Sequence, residues 1–140
     1  MTYLVERLAE LRRHLIHLQA IAPKVTDRAA LERDLSLHND VMFSLLMTAQ
    51  LVIDIAGELS ARRGDRFEDY TDAVRNLGRD ARFPADLVDQ LAGVPGFRNV
   101  VIHEYVALDL DRVVDAIRRL DPIERFMRIV SEIERTDDAS

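Results

Sequence analysis

Apolar residues recur at steps of three and four along most of this chain, which is the spacing that puts them on one face of an α-helix. The first stripe consists of Leu4, Leu8, Leu11, Leu15 and Leu18. It predicts a helix from about residue 2 to about residue 22, ended by Pro23. Thr26 and Asp27 are suitable caps for a second helix, whose apolar pattern continues to about Arg62, roughly 50 Å at 1.5 Å per residue.

The second half of the chain predicts shorter helices. One runs from about Asp69 to Leu77 and ends at Gly78. The next has Pro84 as its first helical residue, and the GVPG run at residues 93–96 interrupts it. Because proline and glycine weaken a helix in its interior, we expect a kink at this point.

A final helix is capped by Asp109 and bends near Pro122. Its apolar stripe begins with Leu110, Val113, Val114, Ile117 and Leu120. The TDDAS segment at residues 136–140 is expected to be disordered. With no strand pattern and no internal repeat, the sequence predicts an all-α fold: one domain over residues 1–135, built as a bundle of about five helices.

Composition narrows the class of protein. A chain of 140 residues that is 48% hydrophobic can bury a core of its own, and it has no cysteine, which excludes disulfides, thiolate metal sites and cysteine nucleophiles. The N-terminus lacks the apolar stretch of a secretion signal. The most apolar stretch, Val41 to Ala56, is shorter than the roughly 20 residues of a membrane span. We therefore expect a cytoplasmic protein with no membrane segment.

Charge and motifs exclude several functions. The net charge of −6 argues against broad attraction to a nucleic-acid backbone, although a local site stays open. No Glu is followed three residues later by His, so the signature of carboxylate di-metal bundles is absent. Neither a G-x-S-x-G elbow nor a G-x4-G-K phosphate loop occurs. We expect neither a metal nor a cofactor.

Reactive side chains are concentrated between Arg98 and Tyr105. On an ideal helix these two residues share one line, Asn99 and His103 lie on the next, and Phe97, Val100 and Val101 lie opposite. His103 would transfer a proton while the ribose 2′-hydroxyl attacks phosphorus, and Arg98 would hold the pentavalent phosphate. Asn99 would orient one of them. The alternative is that the same side chains form hydrogen bonds across a bundle or a dimer contact.

Other polar residues are weaker candidates. Asp54 and Glu58 lie one helical turn apart in an apolar region, and buried acids are rarely left unpaired. They would orient Arg98 or His103, or else form a structural salt bridge with another Arg. The His-Asn-Asp run at residues 38–40 is interpreted as a solvated or capping cluster.

The octet RNVVIHEY at residues 98–105 resembles the Arg-x4-His-x-Tyr motif, with a polar Asn after the Arg, of the HepT-like toxins in the HEPN superfamily. The similarity to that family in order and spacing extends to the helix at residues 41–58, the segment at 67–77 and the LDLDRVVDAI run after the motif. The resemblance covers most of residues 1–135. Pro95 departs from a regular helical turn, which could change the angle at which Arg98 enters the site.

The resemblance implies a HEPN-like twofold homodimer in which two copies of the motif meet at a shared cleft. It implies a metal-independent endoribonuclease toxin that cleaves RNA and is paired with a minimal nucleotidyltransferase (MntA-like) antitoxin, with a larger assembly of the two left open. In that family the motif tyrosine, here Tyr105, receives AMP from the antitoxin. The phosphate of an adenylate beside Arg98 and His103 would compete with the RNA phosphate for the guanidinium.

Two alternatives to the toxin stay open. The chain could be a non-catalytic helical dimer module that binds a partner nucleotidyltransferase. It could also restrain that nucleotidyltransferase, which would then be the toxic member of the pair.

Overall fold

Helices account for nearly all of the backbone from Thr2 to Ala139, the part of the chain that this computed structural model describes; side chains are described from residue 3 to residue 136. These residues form α1 (Thr2–Ile21), α2 (Arg28–Arg33), α3 (Leu35–Arg63), α4 (Tyr70–Arg75), α5 (Ala85–Leu91), α6 (Val94–His103), α7 (Leu110–Arg118) and α8 (Asp121–Ala139). Three short 3-10 turns lie at residues 22–24, 76–79 and 105–107. The predicted all-α class is confirmed, with more and shorter helices than expected.

The helix α3 is the central element of the bundle. Helices α1, α4 and α6 pack against it, and α8 packs against α1 and α5. The largest fully buried side chains are Leu4, Leu11, Leu15, Leu18, Leu31, Val41, Val52, Ile53, Ile55, Leu87, Leu91 and Phe126. By length and composition α3 could cross a membrane, yet more than half of its most apolar stretch is buried inside the fold, as in the core helix of a bundle.

The expected single helix from Asp27 to Arg62 is wrong, because the chain leaves the helical conformation at Asp34. This residue has φ −126° and ψ 99°, and its carboxylate accepts a hydrogen bond from the backbone N–H of Leu37. An aspartate in this role satisfies an otherwise unpaired amide of the first turn. Asp34 therefore starts α3 as a new helix, just as Asp27 starts α2 by accepting from Ala30.

The end of the third predicted helix is also corrected. The helix begins close to the expected position: Asp69 lies just before α4 and caps it by accepting a hydrogen bond from the N–H of Asp72. Gly78, however, lies inside the 3-10 turn at residues 76–79 and does not end the helix in a left-handed conformation. Among the described residues that conformation belongs to Gly64, which has φ 75° and ends α3.

Prolines begin helices in this fold where the sequence suggested bends. Pro84 lies just before α5 as its N-cap, and the expected kink is a complete break between Leu91 and Val94. Pro95 is the second residue of α6 and is buried. Since amides in the first turn have no partner within the helix, proline fits there without the loss of a hydrogen bond.

In the last two helices, α7 and α8, a cap and a proline again mark where a helix starts. Asp109 caps α7 as expected, accepting from the N–H of Asp111. Pro122 is the second residue of α8 and so lies at the start of a separate helix, not at a bend in one long helix. The helical backbone extends to Ala139, through most of the segment 136–140 for which disorder is expected, and Ser140 lies outside the described residues.

Candidate active site

The helix α6 carries the first part of the motif against the middle of α3. Its buried residues are Pro95 and Val101, while Phe97 and Val100 are partly buried against the core. Arg98 is half-buried at this contact with α3. The side of α6 with Phe97, Val100 and Val101 thus holds the helix in place, as the pattern of the sequence predicted, whereas Ile102 is 44% exposed.

Arg98 is held by a chain of hydrogen bonds that starts on α3. Its Nε donates to Gln50 Oε1 at 3.0 Å, and its Nη1 donates to Asn99 Oδ1 at 3.0 Å. The Gln50 side chain in turn donates from Nε2 to Asp54 Oδ1 at 2.8 Å. The Arg98 guanidinium carbon also lies 5.9 Å from the centre of the Tyr70 ring. A guanidinium fixed in this way is pre-oriented for a ligand.

The two acids of α3 therefore have different surroundings. Asp54 is connected to Arg98, but only through Gln50, which sequence reasoning missed. Glu58 lies 3.5 Å from Arg62 Nε, one turn along the same helix, and Arg62 Nη1 lies 2.6 Å from Glu134. The expectation that Glu58 orients the motif is not supported by these contacts. It takes part in a structural salt bridge, the alternative that the sequence left open.

The expected common line of Arg98 and Tyr105 is wrong, because α6 ends at His103. Glu104 leaves the helix with φ −126° and ψ 31°, and Tyr105 opens a 3-10 turn. His103 is exposed at the last position of α6, and its imidazole makes no hydrogen bond to another described residue. Arg98, Asn99 and His103 still share one short helix, whereas Tyr105 is carried by the turn that follows it.

Tyr105 contacts the start of α3. Its side chain is 47% exposed, and its hydroxyl lies 3.4 Å from His38 Nδ1. The two rings are nearly perpendicular, at 88°, with their centres 5.8 Å apart. Asn39 Oδ1 lies 3.3 Å from the same Nδ1. The sequence interpretation of residues 38–40 as a capping cluster is wrong in this respect, since Asp34 is the cap and His38 faces the motif tyrosine.

Two further histidines, His14 and His17, lie where α1 meets α3. His17 Nε2 lies 2.7 Å from Asp40, and His14 Nδ1 lies 3.1 Å from the hydroxyl of the buried Ser44. Burial lowers the pKa of His14. Glu10 acts against this shift, and Arg13 and His17 act with it. These groups are separate from the motif.

The motif is thus displayed at the surface of one chain, with one guanidinium, one amide, one imidazole and one phenol. None of the four is sealed in the core: Arg98 is half-buried and Asn99, His103 and Tyr105 are exposed. A polyanion can reach them from solvent. Within the part of the chain that the structure describes, no three or more His, Asp or Glu side chains cluster in a way that could hold a metal ion.

Comparison with known proteins leads to the same family as the motif. The family described as "Ribonuclease HepT-like" matches residues 5–130, almost the whole of the helical domain. This chain belongs to the HepT-like ribonuclease family. The HepT-like match includes the whole Arg98 to Tyr105 segment as well as the α3 residues that contact it.

Individual HepT-like relatives agree in fold. The mRNA nuclease HepT of Shewanella oneidensis is 23% identical over 129 residues, which are 91% of this chain and 95% of that protein. The solved structure of the tri-AMPylated Shewanella oneidensis HEPN toxin in complex with MNT antitoxin has a TM-score of 0.80 at 22% identity, covering 92% of this chain and 96% of that one. A toxin-antitoxin crystal structure with AMP-PNP has a TM-score of 0.81 at 22% identity, covering 94% and 99%. The fold of this chain is HEPN-like.

Proposed function

We propose that this HepT-like chain is an endoribonuclease toxin that cleaves RNA with Arg98, Asn99 and His103. The observation that carries the proposal is the anchored guanidinium of Arg98, which Gln50 and Asn99 hold through two hydrogen bonds. A guanidinium has five N–H donors, so three remain that are not donated to a described residue. They can bind the two unesterified oxygens of a phosphodiester.

His103 completes the chemistry. It lies five residues after Arg98, which is about 7.5 Å along a helix axis and about 140° around it, so the mechanism requires a phosphodiester that spans the exposed side of α6 from the guanidinium to the imidazole. An unperturbed imidazole exchanges a proton near neutral pH, as needed to activate the ribose 2′-hydroxyl or to protonate the leaving oxygen. The negative charge that develops on phosphorus is stabilised by Arg98. This mechanism proceeds without a metal ion.

We also propose a twofold homodimer in which two copies of this surface face each other. The support is the openness of the site in one chain: Asn99 and His103 are exposed on α6, Arg98 is half-buried, and a single copy leaves His103 without a described partner. A second copy would enclose a strand of RNA between two guanidinium and two imidazole groups. Water exclusion in such a groove would strengthen each electrostatic contact.

Neutralisation is proposed to occur by transfer of AMP to Tyr105 from a nucleotidyltransferase antitoxin in the cytoplasm. A tri-AMPylated HEPN toxin in complex with MNT antitoxin is among the solved structures of similar fold, which supports this partner. The Tyr105 hydroxyl is the acceptor because the phenol is exposed and carried on a turn beside the motif. A phosphate added there would compete with RNA for Arg98.

RNA cleavage by the purified, unmodified chain in excess EDTA tests the catalytic proposal. We expect cleavage by the wild type, with the rate lowered at least about 100-fold in His103→Ala and in Arg98→Ala, since a general acid or base and an oxyanion donor each contribute about that much. The matched controls are His17→Ala and Arg12→Ala, surface residues of α1 outside the motif, which should cleave like the wild type.

The outcomes separate the toxin from the other candidates. Cleavage that survives both motif changes would contradict the assigned site, and cleavage lost in EDTA would contradict the metal-independent mechanism. An unmodified wild type that cleaves no RNA would favour the non-catalytic dimer module. Expression of each gene of the pair alone identifies which protein arrests growth.

A further inference from the structure

The three tyrosines of this chain have similar exposure but different neighbours. Tyr3, Tyr70 and Tyr105 are 37%, 45% and 47% exposed. An arginine lies over the ring of Tyr3 and another near the ring of Tyr70. Tyr105 differs because its hydroxyl also has a partner, the Nδ1 of His38, whose ring lies edge-on to the phenol.

We propose that His38 accepts the proton of the Tyr105 hydroxyl when that hydroxyl attacks a phosphorus atom. The inference rests on the proposed transfer of AMP to Tyr105 and adds the residue that activates the acceptor. A neutral phenol is a poor nucleophile, and a tyrosine side chain ordinarily has a pKa of about 10. A neighbouring base that takes the proton during attack removes this obstacle.

The contacts of His38 Nδ1 allow it to accept the phenol proton in one of its two neutral tautomers. The Tyr105 oxygen lies 3.4 Å from Nδ1, close enough for a hydrogen bond that tightens when the substrate binds. Asn39 Oδ1 lies 3.3 Å from the same Nδ1. In the tautomer that has its proton on Nε2, Nδ1 receives the phenol proton. The new N–H can then donate to Asn39 Oδ1, which stabilises the imidazolium.

The backbone of His38 is fixed within the first turn of α3. Its N–H donates to the carbonyl of Asp34 at 2.9 Å, in the first turn of the helix. The imidazole is therefore carried by a capped helix end, which gives Tyr105 a fixed partner even though Tyr105 lies on a short turn.

Transfer of AMP to Tyr105 exchanges one phosphorus–oxygen bond for another. The Tyr105 oxygen forms a bond to the α-phosphorus of a nucleoside triphosphate presented by the nucleotidyltransferase. The bond from that phosphorus to the bridging oxygen breaks, and pyrophosphate leaves with the electron pair. The phenol proton moves to His38 Nδ1 and passes to solvent afterwards. No oxidant or reductant is involved.

His103 and His38 have separate tasks. His103 stands two residues before Tyr105 and makes no hydrogen bond to it among the described contacts, whereas His38 does. His103 therefore serves RNA cleavage and His38 serves modification. The two activities should respond to different substitutions.

Reaction with benzenesulfonyl fluoride tests the activation of Tyr105 without any partner protein. The reagent transfers its sulfonyl group to a phenol that loses its proton, and peptide mass spectrometry gives the rate at each tyrosine. We expect Tyr105 to react at least about tenfold faster than Tyr3 and Tyr70, a smaller factor than the roughly 100-fold or more of a positioned base in an enzyme, because no site positions the reagent. His38→Asn keeps a hydrogen-bonding side chain but cannot take a proton, and should remove this advantage.

Two controls distinguish proton transfer from folding. His17→Asn makes the same change at a histidine outside the pair and should leave the Tyr105 rate unchanged. His38→Ala should be slow in plain buffer and partly restored by added imidazole, which a purely structural role would not produce. Equal rates at all three tyrosines of the wild type, or an unchanged Tyr105 rate in His38→Asn, would overturn the inference.

Transfer of AMP from ATP by an MntA-like nucleotidyltransferase, the partner proposed above, gives the second readout by intact mass. His38→Asn should lower kcat about 100-fold with little change in KM for the chain, and Tyr105→Phe should accept no AMP. If His38→Asn accepts AMP at the wild-type rate, the inference fails and the proposed function stands. A wild-type chain that takes no AMP at Tyr105 overturns the proposed neutralisation and this inference with it.

Discussion

At the scale of single residues, Gln50 explains why the motif arginine is ordered. Arg98 can only donate hydrogen bonds and ionised Asp54 can only accept them. The Gln50 amide bonds to both side chains, because its oxygen accepts from the guanidinium while its nitrogen donates to the carboxylate. Rotating the amide would break both bonds, so each partner fixes the orientation that the other needs.

Replacing Gln50 tests this positioning role. Gln50→Leu keeps the size of the side chain but removes both hydrogen bonds, and we expect the rate of RNA cleavage to fall about tenfold, since a hydrogen bond to a charged group contributes about 1.5 kcal/mol. Gln19→Leu makes the same change at an exposed position of α1 and should have no effect. Equal cleavage by both variants would show that Arg98 needs no support from α3.

His14 gives a prediction for pH. Because burial lowers its pKa in the fold, the unfolded chain binds more protons as the pH falls below the ordinary value of 6.5. The free energy of unfolding should therefore decrease as the pH is lowered through about 6.5. His14→Gln removes the titrating group and keeps a partner for Ser44. Its melting temperature should fall less than that of the wild type between about pH 7.5 and pH 5.5; an identical fall would contradict this account.

At the scale of elements, apolar periodicity located the helices well but not their ends. Pro95 and Pro122 were expected to bend helices, and each instead occupies the second position of one. A proline in the sequence shows where a helix cannot continue undisturbed, but not on which side of it the helix lies. Asp34 was hidden because periodicity runs on across a cap that interrupts only one residue.

Two glycines provide a matched test of helix ends. Gly64 has φ 75°, a conformation that costs a residue with a side chain about 1 kcal/mol, so Gly64→Ala should lower the free energy of unfolding by about that amount. Gly96 lies in the first turn of α6 with open space around it, and Gly96→Ala should raise that free energy by about 0.5 kcal/mol. Urea denaturation measures both. A destabilised Gly96→Ala with a neutral Gly64→Ala would contradict the assigned backbone.

At the scale of the whole molecule, the site depends on contacts between distant parts of the chain. The octet could be recognised as one segment, and its apolar residues predicted correctly which side of α6 is packed. Gln50 lies 48 residues before Arg98, and His38 lies 67 residues before Tyr105. No local spacing relates such pairs, because they meet only when α6 and the turn at residues 105–107 pack on α3.

Mixing inactive variants tests whether the site is shared between two copies. If two motifs form one cleft, a heterodimer of Arg98→Ala and His103→Ala still contains one guanidinium and one imidazole, contributed by different chains. We expect that co-refolding the two variants restores part of the cleavage that each lacks alone. Sedimentation should give twice the mass of one chain for every variant. A monomer in sedimentation, or a mixture as inactive as its components, would contradict the shared cleft.

The interruption at Asp34 links helix stability to the chemistry of a residue far away in sequence. His38 stands in the first turn of α3, and that turn is secured by the Asp34 carboxylate on Leu37 and by the Asp34 carbonyl on His38. Loss of this cap would let the turn fray, because isolated helix ends are marginal without a side-chain acceptor. The imidazole beside Tyr105 would then sample many positions. Under the proposed activation by His38, a backbone junction with no reactive group of its own would set how readily the phenol of Tyr105 takes AMP.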